Sequence, residues 1–567
     1  MVKAQRYDAV IVGSGAGGGM AAYVLTKRGL NVLMLEAGRH YDPYKEIPML
    51  APNRTAPLRG TSTPDKEFGY FDATIDGGWN IPGEPYASAP GSEFMWWRSR
   101  MLGGRTNHWA RNSFRMGPYD FKPRSRDGLG VDWPIAYEDV APWYDKTEAI
   151  VGVYGSNNGL TNHPDSSPGV LHDPPAPRVG ELYIQAAARD LGMPCIPARR
   201  AVLTRPIDKR AACYYATNCG RGCAIGAAFQ TTTSLLPMAL ATGKLEIVTD
   251  AMAYEVLLGA DGKATGVAYI DKKTGKEAKA EGRTVVLAAS ACETARLLLN
   301  SKSASFPDGL ANSSGQVGRN LLDTVGAAMG AQFPLLENRP RYNEDGARGL
   351  HLYIPFWLYE EQARGELDFP RSYHYELGAE GRSEPSMGEM GSVADWVGGY
   401  GRKLKEGMRR YYGSFMSFTC RGEMIPNEHS YCEIDPDTKD RFGIPTLRFH
   451  FKWSEHELNM VRHFQQATKA LIERMGGKLH WGGDLAPEQA ISKGGEIIHE
   501  VGTTRMGDDP ASSVTNSWGQ TWDVPNLFIT DGGVFASKAH KNPTITIMAL
   551  AMRNSEYLAD QLGERNL

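Results

Sequence analysis

Residues 7–37 read YDAVIVGSGAGGGMAAYVLTKRGLNVLMLEA. The apolar run AVIV predicts a buried strand, the glycines a tight turn, the next stretch a helix, and VLML a second strand ending at Glu36. Gly13-Ser14-Gly15-Ala16-Gly17-Gly18 fits GxGxxG. In that pattern the first glycine permits the turn, the second lets backbone approach a pyrophosphate, and the third packs helix on strand. The helix start, at Ala16, then offers free N–H groups and a favourable dipole to phosphate. Glu36 lies where a carboxylate accepts hydrogen bonds from a ribose. These residues predict a dinucleotide site of the Rossmann kind, with Gly13, Gly15, Ala16, Gly18 and Glu36 as its contacts, and leave NAD and FAD equally open.

The chain around this motif has 567 residues, enough for a large nucleotide-binding unit and at least one further layer. The net charge of −3 excludes the basic field that a nucleic-acid binder needs. The first strand starts within ten residues of Met1, leaving no room for a cleavable signal ahead of it, so any export address is expected on a partner. Seven cysteines, an odd number and mostly scattered, argue against a secreted disulfide framework. Short apolar runs over 245–291, split at Asp261-Gly262 and Gly275, predict a small β region, and 453–476 has helical spacing. The order of elements predicts a nucleotide domain assembled from separated segments, with a second domain inserted.

Near the C-terminus, HEVGTTRMG begins at His499, VPNLFITDGGVF carries Asp531 and Gly532 at a strand end, and AHKNPTITIMALAMR predicts a helix starting at Asn542-Pro543-Thr544. By local physics Asn542 is a good N-cap and Pro543 a good first-turn residue. A helix start can also stabilise the negative charge that two-electron reduction places on a flavin. A neutral histidine nearby is a natural base for a hydroxyl proton near pH 7.

GSGAGG at 13–18, LGGRTNHW at 102–109, GRNLLD at 318–323, HEVGTTRMG at 499–507 and NPTITIMALA at 542–551 together resemble the glucose–methanol–choline (GMC) oxidoreductases. The resemblance implies an α/β (α+β overall) fold: an FAD-binding Rossmann-like domain with an antiparallel-sheet substrate domain. The expected division is 1–335 and 491–567 for the FAD-binding domain, with a cysteine loop at 205–230, and 336–490 for substrate. It implies His499 as base with Asn542 on the substrate oxygen, and Asp531 and Gly532 near the ribityl chain or phosphates. It puts Gly103, Gly104, Asn107 and His108 beside the isoalloxazine, and Pro543 and Thr544 at the helix start. Some relatives join a histidine in this stretch to the flavin; a non-covalent or core role is expected for His108.

Cys213, Cys219 and Cys223, spaced C-x5-C-x3-C, resemble the loop by which bacterial FAD glucose dehydrogenases hold a [3Fe–4S] cluster. Such a cluster would release a flavin's electron pair singly. Ala224 stands where a proline is common, no second cysteine adjoins Cys213, and buried free thiols are the plain alternative. The implied function is an FAD-dependent dehydrogenase oxidising a secondary hydroxyl of a sugar or glycoside, a glucoside 3-dehydrogenase by the nearest subgroup. Its alternatives are an oxidase using oxygen and a flavin-bearing lyase. The implied partners are a cytochrome c acceptor and a small subunit with a twin-arginine signal, giving a periplasmic location by co-export or else a cytoplasmic one. Aromatic residues between 338 and 452, among them Phe356, Trp357, Tyr373 and Tyr375, suit either a sugar's C–H faces or a core.

Overall fold

The computed structural model describes residues 6–47, 76–214, 222–339, 351–378, 387–564 and 566–567. The opening stretch folds as its pattern predicts: strand β1 (Tyr7–Val12), helix α1 (Ala16–Lys27) and strand β2 (Val32–Leu35). Both strands are almost fully buried, as parallel strands covered on two faces must be. The parallel sheet has the order Leu245–Val248, β2, β1, Lys276–Leu287, Leu527–Ile529. Its strands come from four separated parts of the chain. The N-terminal half of Lys276–Leu287 leaves this sheet and pairs antiparallel with Ala264–Asp271, which pairs in turn with Ala251–Leu258. Helix α2 (Ala291–Asn300) follows directly, as the sequence predicts.

The second sheet is antiparallel and six-stranded: Lys478–Trp481, Val325–Gln332, β4 (Phe415–Gly422), β3 (Tyr373–Gly378), Leu352–Ile354, Ile196–Pro197. Val325–Gln332 and Ile196–Pro197 lie before residue 336, so this sheet draws strands from both sides of the division expected there. Side chains alternate across a strand. On β3 and β4 one face carries Tyr373, Tyr375, Leu377, Phe418 and Cys420. These pack on helix α3 (Glu455–Arg474) through Met460, Val461, Phe464, Leu471 and Ile472. Phe356, Tyr373 and Tyr375 are therefore core residues, held by ring contacts with one another and with Phe464. The opposite face carries His374, Glu376 and Arg421. The terminal helix α4 (Thr544–Gly563) packs along α1. Among the described residues no helix is long and apolar enough to cross a membrane.

Candidate functional site

The parallel strands end at a cleft open to solvent, with roughly 1270 Å³ of atom-free space in it and at its mouth. Its wall takes Gly13–Gly17 and Glu36 from the first strand–helix–strand unit, Arg98–Arg100 and Gly104–Thr106 from a loop, Ala288–Ala291 from the start of α2, and Ile498–Glu500, Asp531, Gly532, Pro543 and Thr544 from the C-terminal segment. At Gly13, φ is +99° and a Cβ would sit 2.4 Å from the Ala288 carbonyl oxygen, so only glycine fits. At Gly15 a Cβ would meet no protein atom within 4 Å: this backbone face is open to the cleft. Gly18 stands behind the wall and lets α1 close on the turn, a Cβ there falling 2.0 Å from Gly13 O. Ala16, the first residue of α1, lines the cleft.

Two buried carboxylates brace the wall. Glu36 Oε2 accepts Ser14 N at 3.1 Å and Ser14 Oγ at 2.5 Å, and its Oε1 accepts Gly38 N at 2.7 Å. Burial raises its pKa against these hydrogen bonds. Asp531 Oδ1 accepts Gly533 N at 2.8 Å, and Oδ2 accepts Ser290 N at 3.2 Å and Thr294 Oγ1 at 2.5 Å. Burial pushes its pKa up to about 6.

The 102–109 stretch divides. Gly104 reaches the cleft, whereas Gly103, Asn107 and His108 stand behind it. Gly103 N donates to Ser14 Oγ at 2.8 Å, tying this loop to the glycine turn. Asn107 Nδ2 donates to Leu102 O at 2.9 Å and its Oδ1 accepts from Thr232 at 3.0 Å. His108 Nε2 is 2.6 Å from Ser99 Oγ, and the ring meets Trp97 edge to face. Burial lowers the His108 pKa to about 3, so the ring is neutral.

His499 and Asn542 meet at one end of the cleft. His499 Nδ1 is 2.9 Å from Thr324 Oγ1, and Nε2 is 3.5 Å from Asn542 Nδ2. An amide NH₂ only donates, which makes Nε2 the acceptor and puts the ring proton on Nδ1 facing Thr324. Burial, then the cations Lys538 and Arg421, hold the His499 pKa well below its usual 6.5. The ring is thus a neutral base whose lone pair faces Asn542. The capping expectation for Asn542 is corrected. Helix α4 is capped at Pro543 without a side-chain hydrogen bond, and the Asn542 amide turns to His499 instead. Its Oδ1 is buried without a hydrogen-bond partner among the described residues.

Several residues that position this pair were not singled out from sequence. Ile498 has φ +63°, a costly conformation for a β-branched residue. The loop is clamped there by Asp323, which accepts His499 N at 3.0 Å and Gly495 N at 2.8 Å, and by Glu500, paired with Arg105 at 2.5 Å. Asp323 ends the GRNLLD motif, the one signal that pointed to it. The polar face of β3 and β4 brings Glu376 and Arg421 near enough for their charges to act on His499.

The cysteine expectation falls partly outside the described residues, because Cys219 lies within 215–221. Cys213 is half-buried and Cys223 buried, in a small apolar cluster with Tyr154 and Val202. Among the described residues no group of three or more candidate ligands is arranged to hold a metal ion.

The cleft fits a flavin dinucleotide. It offers an open backbone face at Gly15, the N-termini of α1 and α4, bracing carboxylates at Glu36 and Asp531, and an unpartnered acceptor beside it on Asn542. Comparison with known proteins agrees. Residues 7–325 and 426–551 match the N- and C-terminal models of the GMC oxidoreductases. The chain is 31% identical to 2-methyl-1,2-propanediol dehydrogenase of Mycolicibacterium austroafricanum, over 99% of this chain and 96% of that one. It is 27% identical to the fructose dehydrogenase large subunit of Gluconobacter japonicus, over 98% of each. Formate oxidase from Aspergillus oryzae has the same fold, with a TM-score of 0.66 at 13% identity over 100% of both chains. The chain belongs to the GMC oxidoreductase family and is a flavin-dependent enzyme acting on alcohol or sugar hydroxyl groups.

Proposed function

We propose that this enzyme is a dehydrogenase that oxidises a secondary ring hydroxyl of a sugar or glycoside to a ketone, the 3-hydroxyl of a glucoside being the leading candidate. The observation that carries the reading is the His499 lone pair facing the Asn542 amide across 3.5 Å at the end of the cleft. An alcohol oxygen lying to one side of this contact, within reach of both groups, would receive a hydrogen bond from Asn542 Nδ2 and give its proton to His499 Nε2. FAD, held by the Gly13–Gly17 turn, Glu36, Asp531 and the start of α4, supplies the two-electron acceptor for the C–H bond. Because the imidazole is neutral before substrate arrives, it is ready to accept that proton. Thr324 holds the ring's orientation. The named substrates of the two relatives, a diol and a sugar, support a polyhydroxylated substrate here.

The same reading includes electron exit through a [3Fe–4S] cluster on Cys213, Cys219 and Cys223 to a cytochrome c, and periplasmic export with a small twin-arginine partner. Metal analysis of anaerobically purified protein tests the first. About three irons and four acid-labile sulfides per chain support it, on the one-thiolate-per-iron logic, and none refutes it. Fractionation of the native host tests the second: enzyme in the periplasm supports it, and enzyme confined to the cytoplasm refutes it. For the reaction itself, the test is an anaerobic screen of glucosides and free sugars for bleaching of the bound flavin, with the product identified by NMR. A 3-keto product supports the full reading. Bleaching with a different ketone corrects the position. Turnover of a substrate without any bleaching indicates the lyase alternative.

A further inference from the structure

The face of the antiparallel sheet turned toward His499 holds more polar chemistry than proton transfer uses. Lys541, His540, His374 and Glu376 form one buried chain across the boundary between the α4 loop and β3. The Lys541 ammonium contacts His540 Nε2. His540 Nδ1 is 3.1 Å from His374 Nδ1, and His374 Nε2 is 3.5 Å from Glu376 Oε1. An ammonium only donates and a carboxylate only accepts, so every proton in the chain is assigned. His540 accepts at Nε2 and donates from Nδ1; His374 accepts at Nδ1 and donates from Nε2. Both rings are neutral and the chain ends on an ionised Glu376. Asn112 Nδ2 adds a second donor to the same oxygen, at 2.7 Å.

This leaves the other oxygen. Glu376 Oε2 accepts no hydrogen bond among the described residues; its nearest cation atom, Arg421 Nε, is 3.7 Å away. Arg421 spends one nitrogen on the Cys420 carbonyl at 2.8 Å, and its side chain retains 19% exposure. Cross-strand register places Arg421 opposite His374, so both strands present these groups on one face. A buried carboxylate held from behind on one oxygen, beside an arginine with donors to spare, is matched by a group that donates to one and accepts from the other. A hydroxyl does both.

We infer that Glu376 and Arg421 bind a second hydroxyl of the substrate, so that the enzyme selects polyols and sugars over simple alcohols. This rests on the function proposed above and names the groups that set its specificity. A site built to hydrogen-bond a hydroxyl rejects an analogue lacking it, because its own polar groups are then left unpaired.

The test is a cycle between substrate and enzyme. Methyl glucopyranoside and its 2-deoxy, 4-deoxy and 6-deoxy analogues are compared by anaerobic flavin reduction in wild type, Glu376→Gln and Arg421→Lys, each checked for flavin content and Tm. In wild type, removal of one particular hydroxyl should lower kcat/KM by roughly tenfold to a hundredfold, the cost of leaving buried polar partners unpaired. In the Glu376→Gln and Arg421→Lys proteins the same deletion should cost only a few-fold, because its partner is already impaired. Variants that slow every analogue by one common factor would overturn the inference and leave a structural ion pair. A wild-type flavin that none of these glucosides bleaches contradicts the proposed substrate itself, a separate result. Arg421, being partly exposed at its end, keeps the test available should Glu376→Gln fold poorly.

Discussion

Asp323 Oδ1 accepts the backbone N–H of His499 at 3.0 Å, while its other oxygen holds Gly495. His499 is thus fixed through its own main chain, one residue beyond the strained Ile498. Asp323→Asn keeps the shape but turns one acceptor into a donor facing an N–H. The variant should bind FAD, unfold earlier by about 1–3 kcal/mol for the unsatisfied buried pair, and reduce its flavin at least tenfold more slowly. Stopped-flow reduction and thermal unfolding check this; unchanged kinetics would free His499 from dependence on Asp323.

Asp323 also predicts a pH effect on stability. Burial, and then the charge of Glu500, push its folded pKa up to about 7 from an ordinary 3.8. The folded state therefore holds the proton more tightly than the unfolded chain. The resulting contribution is fully present below pH 3.8 and is lost as pH rises through about 7. Relative to Asp323→Asn, the wild type should lose stability between about pH 4 and pH 7, by at most about 1.4 kcal/mol per pH unit. A stability difference that grows with pH over that window would reverse the assignment.

Gly13 and Gly15 should fail differently. Gly13→Ala meets the Ala288 backbone at 2.4 Å in a left-handed conformation and should give little soluble protein. Gly15→Ala, at φ −68° with no protein atom within reach of the new methyl, should fold normally. Its methyl projects into the cleft, so FAD content should fall on the order of tenfold or more, as close approach to the pyrophosphate is lost. The flavin-to-protein absorbance ratio decides; a fully flavinylated Gly15→Ala protein would displace the cofactor from this turn.

The nucleotide-binding half was legible because its signal is local. Strand, glycine turn, helix and Glu36 fall within thirty residues, and each has one physical use. That His499 and Asn542 come together was legible only through motifs far apart in the chain. Asn542 shows the limit of local physics: it is a good cap by type, yet the cap position falls on Pro543 and the Asn542 amide turns to His499. His374, Glu376 and Arg421 carried no sequence signal, because strand register and the covering helix α3 decide which face of YHYE points inward. Tyr373 and Tyr375, the residues that drew attention by their aromaticity, took the core face.

The cysteine loop gives a prediction that separates two steps. If it carries electrons outward, Cys219→Ser should leave substrate able to bleach the flavin while transfer to a cytochrome c slows. Equal rates to the cytochrome in variant and wild type would reduce the loop to a structural role.

His499 is proposed above as the base for a hydroxyl proton. Single-turnover flavin reduction by a bleaching sugar, compared between wild type and His499→Ala at equal FAD content, tests it directly. General-base catalysis predicts a loss on the order of a hundredfold or more. A variant that retains its flavin and is reduced at a near-normal rate would contradict the account.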